Sequence, residues 1–309
     1  MFPNLFKARM HKLLGKENKV FLKYCKKPLR VTIRINKLKV WDENRVIEGL
    51  KRYGWKLKKI PFLEGAYEVK GLKKEEAIGN TLEFFLGYYY VQEIASMLPP
   101  LILNPKPGER VLDLCASPGS KTTQLAMIME NKGLIIANDV TLDRLKILKY
   151  NLEKYGVLNA VTTLHDGRFF WKKGLEFDKI LVDAPCSCEG VIRKNYQVLS
   201  RWSIGRIKEL SRLQKGLIFS AFKCLREGGI LVYSTCTLAP EENEEVISSL
   251  LEKFENATLE KIEIPGFKIR EGIPEWEGKR FREEVKKCAR IYPQDNDTEA
   301  FFIAKIRKL

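Results

Sequence analysis

Histidine is nearly absent from this chain, with two in 309 residues, His11 and His165. Seven cysteines stand at positions 25, 115, 186, 188, 224, 236 and 288, but none forms a C-x-x-C pair. The one close spacing is Cys186-x-Cys188. Paired C-x-x-C units or nearby histidines are what a zinc site needs, so no metal is expected. An odd, scattered set of thiols also argues against a disulfide framework. No run approaches the roughly 18 uncharged apolar residues of a membrane span. The start, Met1-Phe2-Pro3-Asn4-Leu5-Phe6-Lys7, lacks the apolar core and small-residue cleavage site of a secretory signal. A cytoplasmic protein is expected. Two nucleotide-binding fingerprints are missing as well. There is no G-x-G-x-x-G. Gly119-Ser120-Lys121-Thr122 fails as a P-loop, because Ser120 rather than Gly precedes Lys121 and Leu114 stands where the leading Gly belongs.

Acidic residues are scarce at one end only. Residues 1–75 hold 21 Lys and Arg against 7 Asp and Glu, whereas the remaining 234 hold 34 against 32. Nearly all of the +16 net charge therefore sits in the first quarter. An even Lys/Glu surface would suit a heat-adapted protein. A basic block lacking its acids is instead the electrostatic footprint of a polyanion partner, most simply RNA or DNA.

The pattern along the chain divides it in two. Residues 1–27 read as one or two helices. Leu29 to Asn36 alternates as a half-buried strand with Arg30, Thr32 and Arg34 on one face. Asp42 to Tyr53 has helical spacing with Asp42 as cap, and strands follow at 55–61 and 66–69. This predicts a small basic α+β domain over residues 1–90 that binds RNA, and a second domain over 91–309. Tyr88 to Leu103 reads as a helix ended by Pro99-Pro100. From Lys106 strands and helices alternate, which points to a doubly wound, mostly parallel sheet. Expected strands are 110–114, 134–137, 160–164, 177–182 and 229–233, with 299–305 as an antiparallel edge pair.

Chemistry-bearing residues cluster just past the carboxyl ends of these strands, where open parallel sheets bind ligands. The first strand runs through Asp113 into Cys115-Ala116-Ser117-Pro118-Gly119-Ser120-Lys121 and a helix, offering backbone N–H groups to a polar tail. Asp139 follows Gly119 by 20 residues, the spacing of an acid that accepts from a ribose diol. Asp166, at the next strand end, could accept from an adenine amino group. A nucleoside with a charged tail fits S-adenosylmethionine. The fourth strand ends in Asp183-Ala184-Pro185-Cys186-Ser187-Cys188, and the fifth in Ser234-Thr235-Cys236. Strands four and five are neighbours in such a sheet, so Cys186 and Cys236 should face each other. Buried cysteine is otherwise most often a small hydrophobe, which is the reading given to Cys25, Cys224 and Cys288, and mostly to Cys115 and Cys188. Tyr196 and Trp202 suit base stacking or core packing equally.

Asp113-Leu-Cys-Ala-Ser-Pro-Gly-Ser-Lys-Thr-Thr-Gln124, Val182-Asp-Ala-Pro-Cys-Ser-Cys-Glu-Gly190 and Tyr233-Ser-Thr-Cys-Thr-Leu-Ala-Pro-Glu-Glu-Asn243 resemble the motifs of the Sun-type RNA 5-methylcytosine methyltransferases. Gln92-Glu93-Ile-Ala-Ser96 and the segment from Arg290-Ile-Tyr-Pro293 to Phe301-Phe302 are similar too. The resemblance covers roughly residues 28–309. It implies a class I S-adenosylmethionine-dependent methyltransferase fold, Rossmann-like and doubly wound on a seven-stranded mixed sheet, beside the basic α+β domain. It further implies that Cys236 is the nucleophile toward C6 of cytosine and that Cys186 assists product release. Asp183 would contact the cytosine edge or the methionine end of the cofactor. Lys121 would lower a thiol pKa or hold a carboxylate, and Arg144 would join the cofactor site. The compact chain points to tRNA and an archaeal, monomeric member. An rRNA cytosine-C5 methyltransferase, a non-catalytic RNA-binding assembly factor and a protein or small-molecule methyltransferase are the alternatives.

Overall fold

The computed structural model describes residues 2–72 and 78–309. Met1 and, from the basic block, Lys73, Lys74 and Glu75 lie outside the described residues. The alternating run becomes strand β1 (Thr32–Ile35), buried on both faces. Ile33 and Ile35 enter a small core with Val46, Leu50, Trp55, Tyr67 and Tyr89. The opposite face is no solvent face. The Arg34 guanidinium donates to Gln92 Oε1 at 2.9 Å, Thr123 Oγ1 at 3.0 Å and the Ser120 carbonyl at 3.3 Å. Arg30 donates to the carbonyls of Asn296 and Asp297 at 2.6 and 3.1 Å. These two arginines tie the small sheet to the helix beginning at Ser120 and to the backbone at 296–297.

The helices of this part are α1 (Asn4–Leu14), α2 (Asn18–Tyr24), α3 (Glu43–Lys51) and the short α4 (Leu82–Phe85). The side chain of Asp42 caps α3 by accepting from Asn44 N at 2.9 Å. An antiparallel sheet runs β2 (Lys56–Lys59), β3 (Ala66–Lys70), β1, β4 (Tyr89–Val91). Its edge strand β2 exposes Lys56, Lys58 and Lys59, charges that keep an open edge from pairing with another chain. Helices α1 and α2 turn away from this sheet. Their Phe6, Met10 and Phe21 are buried against Leu199, Leu238, Tyr292 and Ala300 of the later chain. Arg9, 5% exposed, pairs with Glu241 there and lies 5.0 Å from the Trp276 ring.

The segment read as one helix ending at Pro99-Pro100 is instead strand β4 followed by helix α5 (Ile94–Leu103), which passes through both prolines. Pro100 has no N–H for the Ser96 carbonyl four residues back. Gln92 Nε2 takes its place, donating to Ser96 O at 3.1 Å. A side-chain amide thus satisfies the carbonyl that would have broken the helix.

In the large sheet β5 (Arg110–Asp113), β6 (Leu134–Asp139), β7 (Ala160–Leu164), β8 (Phe177–Asp183) and β9 (Leu225–Thr235) are parallel, in the order β9-β8-β5-β6-β7. Helix α6 (Ser120–Ile128) follows β5 and α7 (Leu142–Lys154) follows β6. Both lie with α5 on one face of the sheet, through Met97, Leu98, Leu125, Ala126 and Leu148. Helices α8 (Ile204–Lys223) and α9 (Glu244–Lys253) cover the other with Leu217, Ile218, Phe222, Val246 and Leu250.

After α9 come β10 (Ala257–Glu260), β11 (Arg270–Glu271), the hairpin β12 (Glu275–Trp276) and β13 (Lys279–Arg280), β14 (Ala289–Ile291) and β15 (Phe301–Lys308). Strand β15 is antiparallel to β9 and is not at the edge: β14 and β10 pair with its two ends on the far side. It is interior because both faces are apolar and covered, Phe302, Ala304 and Ile306 on one and Phe301 and Ile303 on the other. The sheet therefore has nine strands rather than the expected seven, because β10 and β14 both pair with β15 and the two-residue β11 extends it beyond β14. Among the described residues no helix is long and apolar enough to cross a membrane.

Candidate active site

Strands β8 and β9 pair in parallel with Val182 opposite Tyr233 and Asp183 opposite Ser234. Both chains leave the sheet at the same level, so the residues just beyond must meet. Cys186 Sγ and Cys236 Sγ lie 3.3 Å apart as free thiols. Cys188 joins them, its Sγ 4.0 Å from that of Cys186 and 3.3 Å from the Cys186 carbonyl. The hydrogen bond with Cys188, then that with Cys236 and burial, keep Cys186 a thiol, raising its pKa well above the usual value. Cys236 is pulled down by Cys186, but its contact with Cys188, burial and nearby negative charge prevail and raise it as well. Cys188 moves the other way, downward, because Cys186 and then Cys236 donate to it.

Beside the thiols, Lys121 on α6 donates to Asp183 Oδ2 at 2.6 Å and to Ser96 Oγ at 3.1 Å. Ser234 Oγ donates to the other oxygen, Asp183 Oδ1, at 2.7 Å. Burial alone would discharge Lys121, but Asp183 keeps its pKa above the ordinary value. Of the two roles expected for Lys121, holding a carboxylate is the one seen. Asp113, one strand over, is 1% exposed. Burial raises its pKa to about 7, against the lowering effect of its bond from Thr122 Oγ1 at 2.7 Å.

The loop from Cys115 to Lys121 closes on itself before entering α6. Ala116 N donates to the Asn138 carbonyl and Gly119 N to the Ala116 carbonyl, each at 2.8 Å. Gly119 has φ 103°, a conformation open to glycine and strained for other residues, and a Cβ there would meet Leu148 Cδ1 at 3.0 Å. Pro118 O accepts from Asn151 Nδ2 at 2.7 Å. Ser117 N donates to Asp139 Oδ2 at 3.3 Å, and Arg144 Nε reaches both Asp139 oxygens at 3.1 Å. Arg144 also donates to the Ser117 carbonyl at 2.8 Å, tying the acid to the loop. Cys115 lies among Asp113, Asp139 and Asp183, and burial first, then these charges, hold it as a neutral thiol.

The residues expected to hold S-adenosylmethionine therefore converge on three neighbouring strand ends. The donor chemistry fits. Asp113 keeps a buried oxygen, Oδ1, without a partner. Helix α6 begins at the loop, and Asp139 also accepts from Val140 N at 2.9 Å and Thr141 N at 3.3 Å, so both of its oxygens are engaged. Asp166 is engaged too: Arg168 Nη2 and Nε donate to it at 2.6 and 3.1 Å, and its own helix turn takes Oδ1 through Arg168 N at 3.0 Å. Tyr196 and Trp202 are drawn toward the N-terminal helices. Trp202 stacks edge-on to Phe6 at 5.3 Å and donates to Glu189 Oε1 at 2.7 Å, which is a packing role.

Several site residues carry no signal of their own in the sequence. Glu189, 1% exposed, accepts from Thr237 Oγ1 and Leu238 N, both at 3.1 Å. Glu242 accepts from Ser187 N at 3.0 Å and Gln214 Nε2 at 2.8 Å. Asn243 Nδ2 donates to Thr237 O at 3.0 Å, and Arg290 donates to Leu238 O at 3.1 Å while paired with Glu244. Gly190 N donates to Cys236 O at 2.9 Å, and a Cβ on Gly190 would lie 2.1 Å from the Ala300 carbonyl. Together they clamp the two thiol loops onto each other. Glu189, Gly190, Glu242 and Asn243 stand inside the quoted motifs, so position was their only clue.

Known proteins match this arrangement along the whole chain. Residues 100–307 match the model of the 16S rRNA methyltransferase RsmB/F family, and residues 2–94 that of the N-terminal domain of 16S rRNA methyltransferase RsmF. A tRNA (cytosine(49)-C(5))-methyltransferase of Pyrococcus abyssi is 48% identical over 98% of this chain and 97% of its own length. Ribosomal RNA small subunit methyltransferase F of Vibrio atlanticus is 40% identical, but the chain spans only 60% of that relative. Among solved structures, a methyltransferase homolog from Pyrococcus horikoshii superposes with a TM-score of 0.87 at 37% identity, covering 100% of this chain and 96% of that one. NSun6 from Pyrococcus horikoshii, solved with the S-adenosylmethionine analogue SFG, gives 0.85 at 27% identity over 99% and 98%. Facing thiols at the ends of β8 and β9, a cofactor loop after β5 and full-length matches lead to one conclusion: the chain belongs to the RsmB/F methyltransferase family and is an S-adenosylmethionine-dependent RNA cytosine-C5 methyltransferase.

Proposed function

We propose that the enzyme methylates a cytosine of tRNA through a covalent bond between Cys236 and C6 of the base. The observation that carries this is the 3.3 Å approach of Cys186 and Cys236 beside the Lys121–Asp183 pair. Carbon 5 of cytosine is too weak a nucleophile to take a methyl group directly. The Cys236 sulfur adds to C6 as a thiolate, its proton passing to solvent, and the addition moves the ring electron pair to C5 and activates it. Asp183 faces the cytosine edge, where a proton shared with N3 makes the addition easier. Lys121 fixes that carboxylate. The bound cofactor supplies the electrophilic methyl on its sulfonium, and Cys115 to Lys121, Asp139, Arg144 and Asp166 are the residues that would hold it. Loss of the C5 proton then re-forms the ring double bond and expels the Cys236 sulfur, with Cys186 assisting. The target base reaches the thiols by turning out of its stack.

The full-length likeness to the Pyrococcus abyssi protein supports tRNA, with position 49 as the first site to examine. The domain over residues 1–90 is read as the part that grips the RNA backbone, acting in a cytoplasmic monomer. Incubation of the enzyme with methyl-labelled S-adenosylmethionine and either tRNA or small-subunit rRNA transcripts tests the reading. Label should enter tRNA, and bisulfite sequencing should show one converted-resistant cytosine. Preferential labelling of rRNA would overturn the substrate assignment.

A further inference from the structure

We propose that Cys186, Cys188 and Cys236 form a binding site for a thiophilic d10 cation of the zinc type, and that occupation of the site blocks methyl transfer. The consequence for activity rests on Cys236 being the nucleophile; the site itself does not. The three sulfurs lie within 4.8 Å of one another, with two of the separations at 3.3 and 4.0 Å. Thiolates about 2.3 Å from a tetrahedral zinc ion stand about 3.8 Å apart. The free thiols already lie within a few tenths of an ångström of that edge at two of the three contacts, so the cation needs rotamer adjustments and no rebuilding. All three side chains are partly exposed, leaving an entry path.

A second observation concerns Cys188 alone. Its backbone has φ 60° and ψ 30°, the left-handed region that suits glycine and strains a residue with a Cβ. Strain of this kind is kept where the side chain has a use. Cys188 is not required by the methylation chemistry, which needs one attacking and one releasing sulfur. Its sulfur nevertheless sits over the other two. A trithiolate complex of a divalent cation carries one net negative charge, and Lys121 and Arg206 supply positive potential to Cys236 and Cys188. Binding forms three metal–sulfur bonds, and each sulfur still protonated gives its proton to solvent. With its lone pair committed to the metal, Cys236 cannot add to C6.

Cadmium, whose bonds to thiolates absorb in the ultraviolet, is the probe. Full-length wild-type protein titrated with cadmium should develop the thiolate-to-metal band and saturate at one equivalent, and zinc should displace it. Cys188→Gly removes the sulfur while relieving the backbone, so it guards against a folding defect. It should weaken cadmium binding by at least the roughly 10–100-fold that even changes around a ligand cause, and Cys224→Ser should bind like wild type. Zinc should inhibit methyl transfer by the wild type, with recovery on adding a chelator, and inhibit Cys188→Gly only at correspondingly higher concentration. Equal cadmium affinity in wild type and Cys188→Gly, or no band at one equivalent, would overturn the site. The cadmium readout needs no turnover, so a failure of the tRNA reading leaves it intact.

Discussion

Lys121 Nζ stands 2.6 Å from Asp183 Oδ2, joining the cofactor loop after β5 to the thiol loop after β8. The pair is 9% and 30% exposed at its side chains, and the buried Lys121 charge depends on Asp183. Lys121→Met leaves Asp183 without its counter-charge and held on one oxygen only, by Ser234. The single-turnover rate should fall by about 100-fold or more, the usual scale for a misplaced acid–base group. A rate within a factor of about 2 of wild type would remove Lys121 from the reaction.

The two thiols should separate by their effects on the covalent bond. Cys236→Ala should abolish methylation and form no adduct. Cys186→Ala should leave RNA joined to the protein, visible as a slower band on a denaturing gel. If the band appears with Cys236→Ala instead, the attacking and releasing roles are reversed.

Arg9 and Glu241 form a buried ion pair, with side chains 4% and 10% exposed, that fixes α1 to the large domain. Among the described residues, Arg9→Met leaves a buried carboxylate with only Trp276 Nε1, at 3.2 Å, as its side-chain donor. Stability should drop by about 3–5 kcal/mol, measured by denaturant unfolding. The activity of the folded fraction should stay as in wild type, since Arg9 touches neither the thiols nor the cofactor loop.

Glu242 carries a pH dependence of known sign. Burial raises its pKa to about 7, opposed by the bonds from Ser187 and Gln214. The folded state therefore holds a proton that the unfolded chain releases near its ordinary value of 4.5. Stability from this group is full below that value and is lost as pH rises toward about 7. Glu242→Gln, which cannot ionise, should flatten the fall in melting temperature between about pH 5 and 7. An unchanged slope would show that Glu242 is ionised in the fold.

The exposed lysines of β2 give a prediction for RNA affinity. Each phosphate neutralised contributes about −0.7 to −0.9 to the slope of log K against log salt. Reversing Lys56, Lys58 and Lys59 to Glu should weaken binding and make that slope shallower by about 2. A slope equal to that of wild type would place the RNA contact elsewhere.

Much of the fold could be read from periodicity. The strand ends at Asp113, Asp139 and Asp183 fall where the alternation of apolar runs and acids puts them. What could not be read depends on contacts between distant segments. Helix α5 passes through Pro100 with Gln92 supplying the donor that the proline lacks. Arg30 and Arg34 look like one face of a solvated strand and instead bond α6 and the 296–297 backbone. Strand β15 looks like an edge until β10 and β14 cover its far side. Local spacing likewise misses the three-sulfur cluster, because only Cys186 and Cys188 are close in sequence; Cys236 arrives through the β8–β9 pairing, 48 residues beyond Cys188.

The sequence by itself placed the site and, through the motifs that resemble RNA 5-methylcytosine methyltransferases, pointed to its chemistry. Two thiols and three further acids stand behind strand ends, and parallel pairing brings strand ends to one edge whatever lies between. Tertiary structure decided how charge and geometry are set at that edge. Lys121 on Asp183, Glu189 and Glu242 under the loops, and a strained Cys188 completing a cluster of three sulfurs are through-space contacts. Their strength depends on burial and distance, which spacing along the chain does not encode.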